Sequence, residues 1–243
     1  YQYTLLNQSK REIRLLILED LPNSEAPASL RCRVLTSKDR FPTPFYTLSY
    51  VWGDPKPVYN IKIDGEATMI SQSLGYALLS IKNNTHYRVL WAGALCINQS
   101  DNVEKSWQVQ QMTYIYARAK AVISWLGSPS EDSHLGLDAL QDLTHHLKHT
   151  HWKRNWSKDN IKMSSKLLEV ALALSCDPAR WTAIVALTAR PYWSRIWIFQ
   201  EMASSRENFF LCGNVHTEDL KYPLYFLMLW ENRSRGRDLP NIQ

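Results

Sequence analysis

No two cysteines in this chain are closely spaced: Cys32, Cys96, Cys176 and Cys212 lie far apart and form no Cys-x-x-Cys unit. That argues against a zinc ribbon and leaves a buried reduced thiol as the simplest state of each. No apolar run approaches the roughly 20 residues of a membrane-spanning helix, and the amino terminus lacks a charged-then-apolar leader. The expectation is a cytoplasmic chain with no membrane partner, in which the Asn-x-Ser/Thr triplets at Asn98 and Asn155 carry no meaning. Lys and Arg are dispersed without a long basic run. The net charge of +5 and pI near 9.0 therefore suit anionic ligands such as nucleotides better than a nucleic-acid partner.

Aromatic residues, by contrast, are abundant. Ten Trp and twelve Tyr in 243 residues exceed the needs of one core, so some are expected to line a groove or a partner interface. The length fits one large domain over 1–243, or one domain with an insertion. The abrupt start at Tyr1 and end at Gln243 suggest a domain excised from a longer protein.

The chain is organised around Tyr87 to Asp101, whose character changes halfway. From Val89 to Ile97 only Gly93 interrupts the apolar or thiol side chains, which reads as a buried parallel strand, a helix of that length remaining open. Asn98-Gln-Ser-Asp101 then places hydrogen-bonding side chains at the strand's carboxyl end, where open α/β sheets bind ligands. Upstream, Ile13 to Glu19 and Leu30 to Leu35 predict two strands pairing as an amino-terminal hairpin or edge. Phe45 to Trp52 predicts a strand stopped by Gly53-Asp54-Pro55. Asp64-Gly65 between two alternating runs predicts a hairpin, and Ser71 or Ser73 caps the next helix, with Leu74, Ala77, Leu78 and Ile81 on its buried face.

Downstream, Trp107, Val109, Met112, Ile115, Tyr116 and Ala119 mark one amphipathic helix over Val103 to Arg118, leading to a buried strand at Ala121 to Leu126. Strands alternating with helices predict a doubly wound α/β sheet with right-handed crossovers. Residues 133–187 break the rhythm as a helical insertion, with helices starting at Leu135 and spanning Ile161 to Leu174. Its His145-His146-x-x-His149-x-His151 cluster has one pair at helical spacing, but no Cys or carboxylate completes a metal set, so a solvated histidine face is the reading. Ser194 is the expected cap of a helix over Arg195 to Ala203, a short strand follows at Asn208 to Cys212, and Lys221 to Trp230 forms a closing helix before a frayed end.

Trp197 and Glu201 stand four apart on that helix, a carboxylate beside an indole at a groove wall; the alternative for Glu201 is a structural pair with Arg190 or Arg195. Asp54 and Asp101 read first as turn and cap residues, and Asn98 and Gln99 divide evenly between local and ligand contacts. Trp91 and Trp125 belong in the core, whereas Trp52, at a strand end, is the better groove candidate.

Five stretches together resemble the fungal heterokaryon incompatibility (HET) domain. They are Leu48-Ser-Tyr-Val-Trp-Gly-Asp54, Leu90-Trp-Ala-Gly-Ala-Leu-Cys-Ile-Asn-Gln-Ser-Asp101, Gln108-Val-x-x-Met-x-x-Ile-Tyr-x-x-Ala119, Trp125-Leu-Gly127 and Arg195-Ile-Trp-Ile-Phe-Gln-Glu201. The resemblance implies non-self recognition and regulated cell death, and a fold similar to Toll/interleukin-1 receptor (TIR) domains: a flavodoxin-like, mostly parallel sheet flanked by helices. Many TIR domains cleave NAD at the nicotinamide glycosidic bond with the Glu of a Trp-x-x-x-Glu helix, a spacing matched by Trp197 and Glu201. On that analogy Glu201 is the catalytic candidate. Ser49, Tyr50, Trp52, Asp54, Asn98, Gln99, Asp101 and Trp197 would surround the nucleotide, with phosphate favoured at the helix amino terminus after Asp101. NAD would be the substrate and no further cofactor or metal is required.

Where the family's strand usually carries Asp, this chain has Gly93, which leaves activity open. Two classes of function stand: an NAD glycohydrolase acting when clustered, or a non-catalytic module assembling with itself or with other signalling domains.

Overall fold

The computed structural model describes residues 1–19, 31–36, 44–149 and 176–217. Within them, β-branched and aromatic runs form one nine-stranded sheet. Its strands are β1 (Arg14–Glu19), β2 (Arg31–Thr36), β3 (Tyr46–Tyr50), β4 (Pro57–Ile63), β5 (Glu66–Ser71), β6 (Val89–Trp91), β7 (Ala121–Trp125), β8 (Asn208–Cys212) and β9 (Val215–Thr217). They are arranged in the order β5-β4-β2-β1-β6-β3-β7-β8-β9.

The sheet is mixed rather than mostly parallel. β1 runs antiparallel to both β2 and β6, and β4 antiparallel to β5. The pairs β2–β4, β3–β6, β3–β7 and β7–β8 are parallel. The amino-terminal strands pair as expected, but they lie inside the sheet, and the β4–β5 hairpin takes the edge. That hairpin turns through Asp64 and Gly65, with φ of 50° and 87°, the positive pair that a two-residue turn needs to match strand twist.

Helix α1 (Gln72–Asn84) is capped by Ser71, which accepts from the Leu74 N–H, and buries Leu74, Ala77, Leu78 and Ile81. Each of the leucine and isoleucine side chains contributes about 1.5–3 kcal/mol on full burial. β3 and β7, covered on both faces, are buried at every position, the pattern of central parallel strands.

Two expectations fail at the middle of the chain. The strand through Val89 to Ile97 ends at Trp91, and Gly93–Cys96 form a helical turn, α2. The Ala92 carbonyl accepts from the N–H groups of Leu95 and Cys96, and an unbroken apolar run fits a buried helical turn as well as a buried strand. The single helix expected over 103–118 is two, α3 (Asn102–Gln110) and α4 (Met112–Arg118), with Gln111 closing one and opening the other.

The chain divides into two compact units, Tyr1–Ser128 with Pro191–His216, and Pro129–Arg190 with Thr217–Gln243. In the second unit α5 (Ser133–His149) packs on α6 (Pro178–Thr188). Asp177 caps α6 by accepting from the Arg180 N–H at 3.1 Å, Pro178 suits its first turn, and Arg180 pairs with Asp142. A Cβ at Gly136 would lie 2.6 Å from Leu187 Cδ1 and 2.8 Å from the Ala183 carbonyl oxygen, so glycine sets how closely these helices approach. The helices expected over 161–174 and 221–230, the frayed end, His151 and Asn155 fall outside the described residues.

Candidate functional site

A cavity of about 530 Å³ lies in the first unit, at the carboxyl ends of β3 and β6. The register explains why there is space. β6 pairs only Leu90 and Trp91 with Tyr46 and Thr47, so Leu48–Tyr50 extend past its end while the chain turns away into α2. Leu48, Tyr50, Trp91, Gly93, Ile97 and Gln99 line the resulting gap.

The opposite wall comes from α3, α4 and the segment leading into α7 (Ile198–Ser204). That segment departs from expectation: Pro191–Ser194 form a 3₁₀ turn, Ser194 Oγ donates to the Pro191 carbonyl at 2.8 Å, and α7 starts at Ile198 without a side-chain cap. The 3₁₀ turn absorbs Ser194, which sets Arg195 free of the helix to point inward.

Glu201 sits at the heart of a buried polar cluster and is only 2% exposed. The Glu201 N–H bonds back to the Trp197 carbonyl at 3.0 Å, fixing the four-residue spacing of the pair. Arg195 forks the carboxylate, Nη1 donating to Oε2 at 3.0 Å and Nη2 to Oε1 at 2.8 Å. Ser49 Oγ donates to Oε2 and accepts from Arg195 Nη1 at 2.9 Å. With the single Ser49 proton directed to Glu201, the Tyr192 hydroxyl is the donor in its 2.8 Å contact with Ser49. The Tyr116 hydroxyl also bonds Glu201. A carboxylate offers about four acceptor positions, so those of Glu201 are filled in the free site.

The same cluster sets the ionisation of its phenols. Burial pushes Tyr192 up to about 12, and burial followed by the Glu201 charge lifts Tyr116 well above the usual phenol value. Tyr50 is raised by burial, against the opposing effect of Arg195. All three are neutral donors at physiological pH. Burial works against the charge of Arg195, but its bonds to Glu201 outweigh this and raise its pKa.

The structure gathers only some of the anticipated residues. Tyr50, Trp52, Gln99, Trp197 and Glu201 line the cavity, and Ser49 reaches it through Glu201. Trp52 and Trp197 are half exposed, at 50% and 47%, as aromatic walls of a mouth should be. Asp54 instead accepts from the Lys56 N–H at 2.9 Å in a local turn. Asn98 is likewise engaged locally, its side chain accepting from the Ser100 N–H at 3.1 Å and its own N–H donating to Glu104 at 2.7 Å. Asp101 caps α3 by accepting from the Val103 and Glu104 N–H groups at 2.9 and 3.0 Å. Those N–H groups are therefore already paired with a carboxylate, and Glu104 adds a second acid to the first turn, which works against an anion at this helix terminus.

Arg195, anticipated as a pairing partner, is a cavity residue as well, and Tyr192, Tyr116 and Lys105 are new to the site. For Lys105 and Tyr116 a signal exists: with Val109 and Met112 they recur at helical spacing along α3 and α4, and all four line the cavity. A second buried pair supports the loop behind it. Arg14 in β1 forks Glu104 at 2.5 and 2.9 Å and donates to the Cys96 carbonyl at 3.1 Å, tying β1 to the turn between α2 and α3.

The indole N–H of Trp91 is buried and has no partner among the described residues. Gly93 is at the start of α2 and not mid-strand, where a Cβ would come within 3.3 Å of Trp91 Cη2. Among the described residues no cluster of three or more His, Cys, Asp or Glu could hold a metal ion. Nor is any helix among them long and apolar enough to cross a membrane.

Residues 45–201 match the model of the family described as heterokaryon incompatibility protein (HET), a span that contains every residue lining the cavity. Heterokaryon incompatibility protein 6, OR allele, of Neurospora crassa is 29% identical over 245 residues, covering 88% of this chain and 35% of its own length. The chain thus spans about a third of that curated relative. No solved structure matches the chain.

Proposed function

Because the chain belongs to the heterokaryon incompatibility (HET) family, we propose that it serves non-self recognition and regulated cell death through a TIR-like cavity that cleaves NAD at the nicotinamide–ribose bond. One observation carries this reading: Glu201, on the Trp197-x-x-x-Glu201 turn, faces a cavity of about 530 Å³ walled by Tyr50, Trp52 and Trp197. The volume is that of a small-molecule site. The parallel block β6-β3-β7-β8 is, in chain order, second, first, third, fourth. Flavodoxin-like sheets share that order and bind ligands outside the strands' carboxyl ends.

The chemistry follows from the residues. Breaking the C1′–N bond sends its electron pair to nicotinamide and leaves an oxocarbenium-like ribose, whose positive charge the Glu201 carboxylate stabilises. Water then adds its oxygen to C1′ and releases a proton, giving ADP-ribose and nicotinamide. Aromatic faces at Tyr50, Trp52 and Trp197 can stack on the cationic ring. A ribose hydroxyl reaches Glu201 only by replacing one of its present donors, Ser49, Tyr116 or Arg195.

That requirement favours a second reading. A carboxylate already forked by Arg195 and nearly inaccessible also suits a structural pair in a non-catalytic module that assembles with itself or with other signalling domains. Incubating the purified chain at high concentration with NAD and quantifying nicotinamide and ADP-ribose separates the two. Equimolar release supports cleavage; intact NAD, even with the chain artificially clustered, supports the module.

A further inference from the structure

Resting on the NAD reading, the geometry points to Lys105 as the residue that selects a phosphorylated nucleotide over the bare nucleoside. Two cations line the cavity, Arg195 and Lys105. Arg195 spends both terminal nitrogens on Glu201 and Ser49. The Lys105 ammonium pairs with no carboxylate among the described residues. At the terminus of α3 the Asp101 carboxylate already takes the Val103 and Glu104 N–H groups. An anionic group entering the cavity therefore finds, among the described residues, one positive charge in its wall that no carboxylate already holds.

The placement of that charge specifies the shape of the ligand. Lys105, Val109, Met112 and Tyr116 all line the cavity, and Tyr116 touches Glu201. Lys105 precedes Val109 by one turn of α3 and Tyr116 follows Met112 by one turn of α4, about 6 Å of rise in each helix, so an apolar stretch separates them. Each side chain can reach back several ångströms along this wall. A ligand holding its ribose at Glu201 meets the ammonium only if it carries an anionic group on an arm beyond the sugar. A nucleoside phosphate or diphosphate has such an arm; nicotinamide riboside has none. The ammonium then acts on binding and leaves bond breaking to Glu201.

The test compares ADP-ribose, nicotinamide mononucleotide and nicotinamide riboside, titrated by tryptophan fluorescence into the chain and its Lys105→Ala and Lys105→Arg variants. Lys105 is exposed, so both variants keep the fold. Losing a charge-assisted contact predicts about tenfold weaker binding of ADP-ribose and the mononucleotide to Lys105→Ala, with the riboside unchanged and Lys105→Arg close to the parent. The salt dependence of ADP-ribose binding should flatten in Lys105→Ala, which a merely structural role would not produce. Equal affinities of parent and Lys105→Ala for ADP-ribose, or equal losses for the riboside, overturn the assignment. Failure of ADP-ribose to bind the parent overturns it as well. Nicotinamide release from NAD by the parent, measured alongside, reports separately on whether the cleavage reading stands.

Discussion

Replacing Arg195 with Met should destabilise the chain far more than replacing an ordinary surface arginine. The substitution leaves Glu201, 2% exposed, without the guanidinium that donates to it at 2.8 and 3.0 Å. Stranding one member of a buried ion pair costs about 3–5 kcal/mol. The Arg195 side chain is 18% exposed, which admits some water, and Ser49 still donates to Glu201, so the lower end, about 3 kcal/mol, applies. For a chain of this size that lowers Tm by roughly 6–12 °C. Glu201→Gln alone should also destabilise, because it strands the arginine. Combining the two removes both charges, so the double variant should be more stable than the summed single effects predict, by about 2 kcal/mol. Thermal unfolding of all four proteins by circular dichroism measures this. Additive losses, within about 0.5 kcal/mol, would show that the two side chains do not act as a unit and that Arg195 is free to meet a ligand.

Three further outcomes follow from the same geometry. Asp101→Ala removes a cap and should lower stability by about 1 kcal/mol, seen in thermal unfolding, while leaving nucleotide affinity unchanged; weakened nucleotide binding would return Asp101 to the site. Gly93→Asp places its Cβ 3.3 Å from the Trp91 ring, a contact relieved by a small shift. With the backbone freedom of glycine removed in the unfolded chain, stability should change by less than about 1 kcal/mol, and a loss above about 2 kcal/mol would show that Trp91 cannot yield. At alkaline pH, the raised values of Tyr50, Tyr116 and Tyr192 mean that the folded state binds protons more tightly than the unfolded one. Their contribution is complete below the unfolded phenol value of about 10 and is lost as pH climbs toward about 12 for Tyr192. Phenolate absorbance and circular dichroism should therefore change together above pH ~10; early ionisation of these three phenols in a folded chain would contradict their burial.

Local chemistry makes much of the fold legible. The Asp64-Gly65 turn, the Ser71 cap, the buried runs of β3 and β7 and the stripe of α1 each carry a short-range signal that the structure follows. The failures come where one pattern serves two structures. Val89 to Ile97 is apolar whether it continues as a strand or turns into α2, and that turn opens the cavity. The break at Gln111 leaves the helical periodicity of 107–116 almost undisturbed, so it has no signature in the sequence. Trp197 and Glu201 are visible as a spaced pair, but the grip of Arg195 depends on the 3₁₀ turn at Pro191–Ser194 and on Ser49 from a strand far away in the chain. The polar residues after β3 and α2 also carry a shared signal: capping and turn formation call for the same side chains as nucleotide binding, and Asp54, Asn98 and Asp101 make the turn and cap bonds that the sequence weighed against a ligand role.

The most direct test of the account is nicotinamide release from NAD by the parent chain and by Glu201→Gln, at matched concentration and with folding verified. Removing the carboxylate that stabilises the oxocarbenium-like ribose should lower the rate by about 10²- to 10⁴-fold while ADP-ribose still binds. Release by Glu201→Gln within tenfold of the parent would contradict the assignment of Glu201 as the catalytic residue.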